Sequence, residues 1–299
     1  MTKILFIGAS TGNSLIHRAF PAWVEHLGVK AEVVGVDLPL GAAPKDYLRV
    51  VDDIRADADC LGAVVTTHKV ALYQAAAHRF DALDELALSC GEINSIRSAD
   101  GNLAGFARDP ISVGRVVDAI WPTSSGEVLC LGCGGTAIAL GRHLLARGHQ
   151  GVIHAVDRDP AAVQRLTNAL GADHGRVQAR CSAAPWDETI AALDPGALIV
   201  NATGMGKERP GSPVTEAAVF PVESVVWELN YRGDLRMLDL ARAQSRQRTL
   251  AVHDGWTLFC HGWASALSAV LALPDDPQLG ERFAALAHDL RSLARGTAI

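Results

Sequence analysis

The sequence has no excess of basic charge. Its 27 Lys and Arg stand against 33 Asp and Glu, for a formal net charge of −6. No basic run appears either, so it lacks the electrostatic footprint of a nucleic-acid binder. No apolar run is long enough to span a bilayer. The apolar stretch Ile4–Ile7 is too short for a signal-peptide core and has the length of a first strand. A cytoplasmic protein without a membrane partner is the expectation. Cysteine is scarce, at six residues, and only Cys130 and Cys133 stand at C-x-x-C spacing. With no second such pair, a zinc site is incomplete. The histidines also lack ligand spacing, so no metal is expected. Internal repeats and low-complexity segments are missing too.

What is present is ordinary globular material. The 299 residues are 49% hydrophobic and 20% charged, enough for two domains with cores of their own.

The chain is organised around Glu127–Arg147. Val128–Leu131 is an apolar run with the length of a buried strand. It breaks at Gly132, and helical spacing takes over through Ile138, Leu140, Leu144 and Leu145. Gly132, Gly134 and Ala137 fit G-x-G-x-x-G/A. The first position allows a tight turn, the second lets a pyrophosphate approach the backbone, and the third lets helix and strand pack closely. The helix start that follows, with Gly135 and Thr136, offers free N–H groups to phosphates. A second strand, Gly151–Val156, ends at Asp157. An acid there, roughly 20 residues past the glycines, suits a ribose 2′-hydroxyl. Cys130 and Cys133 straddle Gly132, and packing is the reading for both.

Alternation of strands and helices runs along most of the chain. Strands are expected at Thr2–Gly8, Ala31–Val36, Leu61–Val65, Glu92–Arg97, Leu103–Ala107, Arg176–Ala179, Ala197–Asn201, Ser224–Leu229 and Thr249–Val252. Helices are expected around Ile16–Leu27, Lys45–Asp57, Val70–Arg79, Ile111–Ile120, Ala161–Leu170, Trp186–Leu193 and Asp234–Gln244. Ala99-Asp100-Gly101-Asn102 reads as a hairpin turn and Trp121–Gly126 as a linker. From Trp256 the chain is helical, with a break at Pro274–Pro277. This order predicts an α/β protein with a doubly wound sheet.

These pieces resemble the shikimate dehydrogenase family over nearly the whole chain. The resemblance is carried by His68-Lys69, Gly91-Glu92-Ile93-Asn94-Ser95, the run Asp100–Asp109, Gly132–Gly135, Asn201-Ala202-Thr203, Asn230-Tyr231 and Asp254-Gly255. It implies an N-terminal α/β substrate domain, a Rossmann-type dinucleotide-binding domain and C-terminal helices that return to the first domain. Its boundaries would be 1–109 with 253–299, and 110–252. The active site would lie between the domains. Lys69 and Asp109 would be the catalytic pair, since alcohol–ketone interconversion needs a proton transferred at the oxygen. The expectation is a lysine of lowered pKa. Alone, Lys69 reads as a helix-start lysine and Asp109 as a helix cap before Pro110.

The family holds its substrate carboxylate with two serines, and Thr11 and Asn13 stand there. Val65 replaces a threonine, with Thr66 or Thr67 in position to compensate. Ala107-Arg108 replaces Asn-Thr, Gly262 beside His261 replaces a glutamine, and Glu92 replaces a small apolar residue. Thr11, Asn13, Thr66, Asn94, Arg108, Tyr231 and His261 are the candidate substrate residues. Arg108 is either a carboxylate clamp or a surface arginine. Candidate cofactor residues are Gly132, Gly134, Gly135, Thr136, Asp157, Arg158, Asn201, Ala202 and Thr203. Asp157 favours NAD, while Arg158 keeps NADP open.

The expected activity is NAD(P)-dependent oxidation or reduction of a shikimate-like alicyclic hydroxy acid, with shikimate itself a poor substrate. The alternatives are a true shikimate/quinate dehydrogenase and a non-catalytic ligand-sensing module on the same scaffold. A methylenetetrahydrofolate dehydrogenase would want a different lysine setting. The expected partner is a small-molecule substrate, in a monomer or homodimer.

Overall fold

The computed structural model describes residues 1–171, 175–207 and 209–294. Along the first third run β1 (Lys3–Gly8), α1 (Ile16–His26), β2 (Glu32–Asp37), α2 (Pro44–Ala56), β3 (Cys60–Val65), α3 (Lys69–Ala76), β4 (Ala82–Leu83), α4 (Glu85–Cys90), β5 (Ser95–Ala99) and β6 (Asn102–Phe106). Then follow α5 (Asp109–Ile120), β7 (Val128–Leu131), α6 (Gly135–Ala146), β8 (Ile153–Asp157), α7 (Pro160–Leu170), β9 (Val177–Cys181), α8 (Asp187–Ala191), β10 (Leu198–Asn201) and β11 (Val225–Glu228). The chain ends with α9 (Arg236–Arg248), β12 (Ala251–His253), α10 (Trp256–Val270), α11 (Leu279–Leu286) and α12 (His288–Ala294). Among the described residues no helix is long and apolar enough to cross a membrane.

Two compact units emerge. One is Met1–Ser112 with Cys260–Ser292, and the other is built on Val113–Phe259. The expected end of the first domain, at residue 299, lies outside the described residues.

The first unit holds a six-stranded sheet in the order β2-β1-β3-β5-β6-β4. Its β1, β2 and β3 run parallel, while β5 and β6 form an antiparallel hairpin beside β3. Asp100 (φ 50°) and Gly101 (φ 75°) make the hairpin turn with positive φ at both central positions. That geometry matches the twist of the strands it joins. Gly62 on β3 lies against the backbone of β5. A Cβ there would lie 1.9 Å from the Ile96 carbonyl oxygen.

Two local features depart from the pattern expected above. The strand expected from Glu92 starts only at Ser95. Residues 93 and 94 instead tie neighbouring elements together: Ile93 N donates to Lys69 O (3.0 Å) and Asn94 N to Phe106 O (2.9 Å). The short β4 and α4 have no periodicity long enough to read. Asp84 caps α4 by accepting from Ala87 N (2.7 Å), and Gly91 (φ 64°) ends it.

The C-terminal helices belong to the first unit through an aromatic cluster. Trp263 packs on Phe6, Phe20 and Trp23 at centroid distances of 5.3, 6.4 and 6.5 Å. Trp23 stacks on Phe283 at 4.5 Å and donates its indole N–H to the Phe283 carbonyl (3.0 Å).

In the second unit six strands are all parallel, in the order β12-β11-β10-β7-β8-β9. Every residue of β7, β10 and β11 is buried, as parallel strands covered on both faces require. The strand order reverses between β7 and β10. Ligands of such sheets bind at that switch point, beyond the carboxyl ends of the strands.

Trp23 is fully buried and joins α1 to α11. Trp23→Ala is expected to cost about 3–5 kcal/mol, read as a lower denaturation midpoint in urea.

Candidate active site

In the first unit, three chain segments bring charged and polar groups together. Lys69 is the first residue of α3, directly after β3 and its Thr66-Thr67-His68 turn. The turn is pinned by His68. Its Nε2 lies 2.9 Å from Leu38 O, and its Nδ1 lies 2.9 Å from the Tyr47 hydroxyl. Nε2–H donates to the Leu38 carbonyl and Nδ1 pairs with the Tyr47 hydroxyl, so the ring is held on both sides.

Asp109 is the first residue of α5, where a helix favours negative charge. Lys69 Nζ donates to Asp109 Oδ2, and Asn94 Nδ2 donates to Asp109 Oδ1. Asn94 is itself held, because its Oδ1 accepts from Ser95 Oγ (3.0 Å) and Arg108 N (2.8 Å). Glu92 Oε2 lies 3.5 Å from Lys69 Nζ. The structure therefore places Lys69, Asp109 and Asn94 in one cluster, as hydrogen-bonded neighbours.

The expectation of a lysine with lowered pKa is corrected. Burial does act to lower it, but the carboxylates of Asp109 and Glu92 outweigh burial, and the net direction is upward. Lys69 is held as an ammonium, a proton donor at neutral pH. Glu92 is the residue that sequence reasoning left out of the site. Its signal in the sequence was an acid set between Gly91 and apolar Ile93.

Thr11 and Thr66 meet at the end of β1. A Cβ on Gly8 would lie 3.1 Å from Thr66 Oγ1 and 3.2 Å from Thr11 Cγ2. The Thr11 hydroxyl, and then its backbone N–H (2.7 Å to Asp37 Oδ1), hold the Asp37 carboxyl below its ordinary pKa. Asn13 is exposed. The Arg108 guanidinium lies 3.6 Å from Asp84 Oδ2 and 5.0 Å above the Phe106 ring, so it is packed within its own surroundings. His261 is buried, with its ring where a Cβ on Gly280 would fall. A Cβ on Gly262 would meet nothing within 4 Å. Tyr231 lies in the second unit, against Trp256 and Phe259.

The second unit carries the glycine turn. Gly132 has φ 101°, and a Cβ there would lie 2.8 Å from the Ala202 carbonyl group. Only glycine lets the turn press against the end of β10. Gly134 is the extended residue before α6, and the space around its missing Cβ is open. Backbone N–H groups of the first turn of α6 follow, from Gly135 and Thr136. An open glycine at a helix start fits the approach of a pyrophosphate. Asp157 ends β8 with Oδ2 accepting from Cys133 N (2.9 Å) and Oδ1 from Asp159 N (3.0 Å). Arg158 is exposed.

Asn201 is buried and shapes the loop after β10. Its Oδ1 accepts from Thr203 N (3.1 Å) and Thr203 Oγ1 (2.7 Å), while Nδ2 donates to Glu228 Oε2 (2.5 Å). Burial pushes the Glu228 carboxyl up to about 7. Asn201 and Thr203 are thus turned towards the protein's own groups. Among the described residues no cluster of three or more His, Cys, Asp or Glu could hold a metal ion.

No family model matches the chain. It is 29% identical over 221 residues to shikimate dehydrogenase (NADP(+)) of Brucella canis, covering 71% of this chain and 69% of that one. It is 28% identical over 280 residues to shikimate dehydrogenase (NADP(+)) of Thermus thermophilus, covering 91% and 95%. Among solved structures it matches a shikimate 5-dehydrogenase from Thermus thermophilus in complex with shikimate. That match has a TM-score of 0.71 and 25% identity, over 96% of this chain and 100% of that one.

Burial pushes the Cys130 and Cys133 thiols up to about 12, which leaves them inert as redox groups. Of the six free cysteines only Cys181 is exposed. A thiol reagent added to the folded protein is expected to modify Cys181 fast and the others only on unfolding, read by mass spectrometry.

Proposed function

We propose that this chain, a shikimate dehydrogenase-family protein, is an NAD(P)-dependent dehydrogenase of a shikimate-like alicyclic hydroxy acid. The cluster of Lys69, Asp109 and Asn94 carries the reading. A nicotinamide dinucleotide supplies or accepts the hydride when bound. The protein's task is then the proton at the oxygen.

In ketone reduction the Lys69 ammonium donates to the oxygen as charge develops there. Asp109 orients the amine, and Asn94 orients Asp109. In alcohol oxidation the same proton returns to the amine. The net upward shift keeps Lys69 protonated, the form that donates in reduction. A ligand sensor would have no use for a buried, paired amine, which favours the enzyme over the sensing module.

For the substrate, the relatives' names favour shikimate. The chain's own departures favour a related acid instead. Val65 offers no hydroxyl, Asn13 is exposed, and Gly262 leaves space. A pocket that lacks hydrogen-bond partners for a substrate's hydroxyls discriminates against that substrate. A panel of alicyclic hydroxy acids decides this: kcat/KM is expected to be highest on an acid other than shikimate, and a clear preference for shikimate overturns the specificity.

The relatives' names make NADP the better-supported cofactor. Asp157 carries a second reading, NAD, because its carboxylate would repel a 2′-phosphate and accept from a free 2′-hydroxyl. Asp157→Ala is expected to move the NADP-to-NAD ratio of kcat/KM towards NADP by about 10-fold, and an unchanged ratio removes Asp157 from cofactor choice.

Lys69→Ala is expected to lower kcat about 10²–10⁴-fold, with KM within a few-fold of wild type. Steady-state assays in both directions check this, and unchanged turnover would favour the sensor.

A further inference from the structure

The strand ends of the second unit carry a buried acid to which the reaction gives no task. Glu228 is the last residue of β11 and is 1% exposed. Both of its carboxyl oxygens accept hydrogen bonds. Oε2 accepts from Asn201 Nδ2 (2.5 Å) at the end of β10, and Oε1 from Asn230 N (2.9 Å) in the loop after β11. Bonds to a charged acceptor are stronger than neutral ones, so a carboxylate here grips two chain segments at once.

The bonds continue into both loops and close on themselves. Asn201 Oδ1 accepts from Thr203 N and Thr203 Oγ1. Thr203 Oγ1 accepts from Met205 N (3.0 Å), and Met205 O accepts from Asn230 Nδ2 (3.0 Å). Asn230 N then returns to Glu228, so Glu228, Asn201, Thr203, Met205 and Asn230 form a ring. Glycines let the two loops meet beyond it. A Cβ on Gly206 would lie 2.0 Å from Asp234 O, and one on Gly233 would lie 2.1 Å from Gly206 O. The first loop is held separately at its start, where Ala202 N donates to Leu131 O (2.8 Å).

Strand order says which half of a dinucleotide this ring would meet. A pyrophosphate at the turn after β7 and a ribose at Asp157 after β8 put the adenosine half on the β8 side. β10 and β11 lie on the other side of β7, where the nicotinamide half must extend.

We propose that Glu228 is a positioning residue that locks the loops after β10 and β11 into the surface on which the nicotinamide half of the cofactor rests. This role rests on the dinucleotide reading of the second unit. Glu228 is buried and acts through Asn201 and Asn230. The pyrophosphate and adenosine positions belong to α6 and β8, outside the ring.

The test is Glu228→Gln in the full chain, with NADPH, NADH and ADP as probes in titration calorimetry at about pH 8, where the carboxyl is ionised. Whichever way the new amide turns, its NH2 meets a donor, Asn201 Nδ2 or Asn230 N. The Kd of the tighter-binding dinucleotide is expected to rise at least about 10-fold, while that of ADP, which has no nicotinamide half, stays within about 2-fold. Asn201→Asp combined with Glu228→Gln exchanges the roles. The introduced amide donates to the introduced carboxylate, and the Thr203 and Asn230 donors keep their acceptors. This double variant is expected to bind the dinucleotide within about 3-fold of wild type.

A dinucleotide Kd unchanged in Glu228→Gln would overturn the role. So would equal losses of ADP and dinucleotide binding, which mark a general loss of structure in the unit, and so would a double variant that binds no better than Glu228→Gln. Those outcomes leave the dinucleotide reading standing. A wild type that binds neither NADPH nor NADH sinks that reading, and the role of Glu228 with it.

Discussion

A buried ammonium cannot stand alone. Transferring the Lys69 charge out of water is costly unless opposite charge and hydrogen bonds meet it. The first unit supplies both from three places in the chain: the Asp109 carboxylate at a helix start, the Asn94 amide behind it, and the Glu92 carboxyl to one side. Each group is fixed through backbone. The end of β3 leads into α3, the end of β6 leads into α5, and the segment from Gly91 to Asn94 is tied to both. The mixed sheet and its hairpin are thus the frame that sets distances in the cluster.

The second unit is arranged around an open turn at the start of a helix. A parallel sheet buried on both faces leaves its carboxyl-end loops as the place for a ligand. Gly132 brings the turn against Ala202, and Gly134 keeps the approach to α6 clear. Asp157 closes the turn through the Cys133 amide, so its carboxylate is part of the loop's structure.

Much of this was legible in the residues because local signals and global fold agreed. The apolar run at Val128, the glycines after it and the acid at 157 each require one backbone arrangement. Asp100-Gly101 announced its hairpin for the same reason. Other features were illegible because they depend on partners distant in sequence. The direction of the Lys69 shift is set by two carboxylates, 23 and 40 residues away, acting against burial. The pairing of the Arg108 guanidinium with Asp84 joins positions far apart in the chain. The inward turn of Asn201 towards Glu228 depends on the adjacent strand. Short elements such as β4 and α4 carry too few residues to show a period.

The account stands on the amine of Lys69 being the group that meets the reacting oxygen. A crystal structure of the enzyme with a nicotinamide cofactor and its hydroxy-acid substrate tests this most directly. The oxygen that is oxidised should lie within about 3.2 Å of Lys69 Nζ, with Asp109 still bonded to the amine. A substrate seated with that oxygen out of reach of Lys69, or with another side chain in its place, would contradict the account.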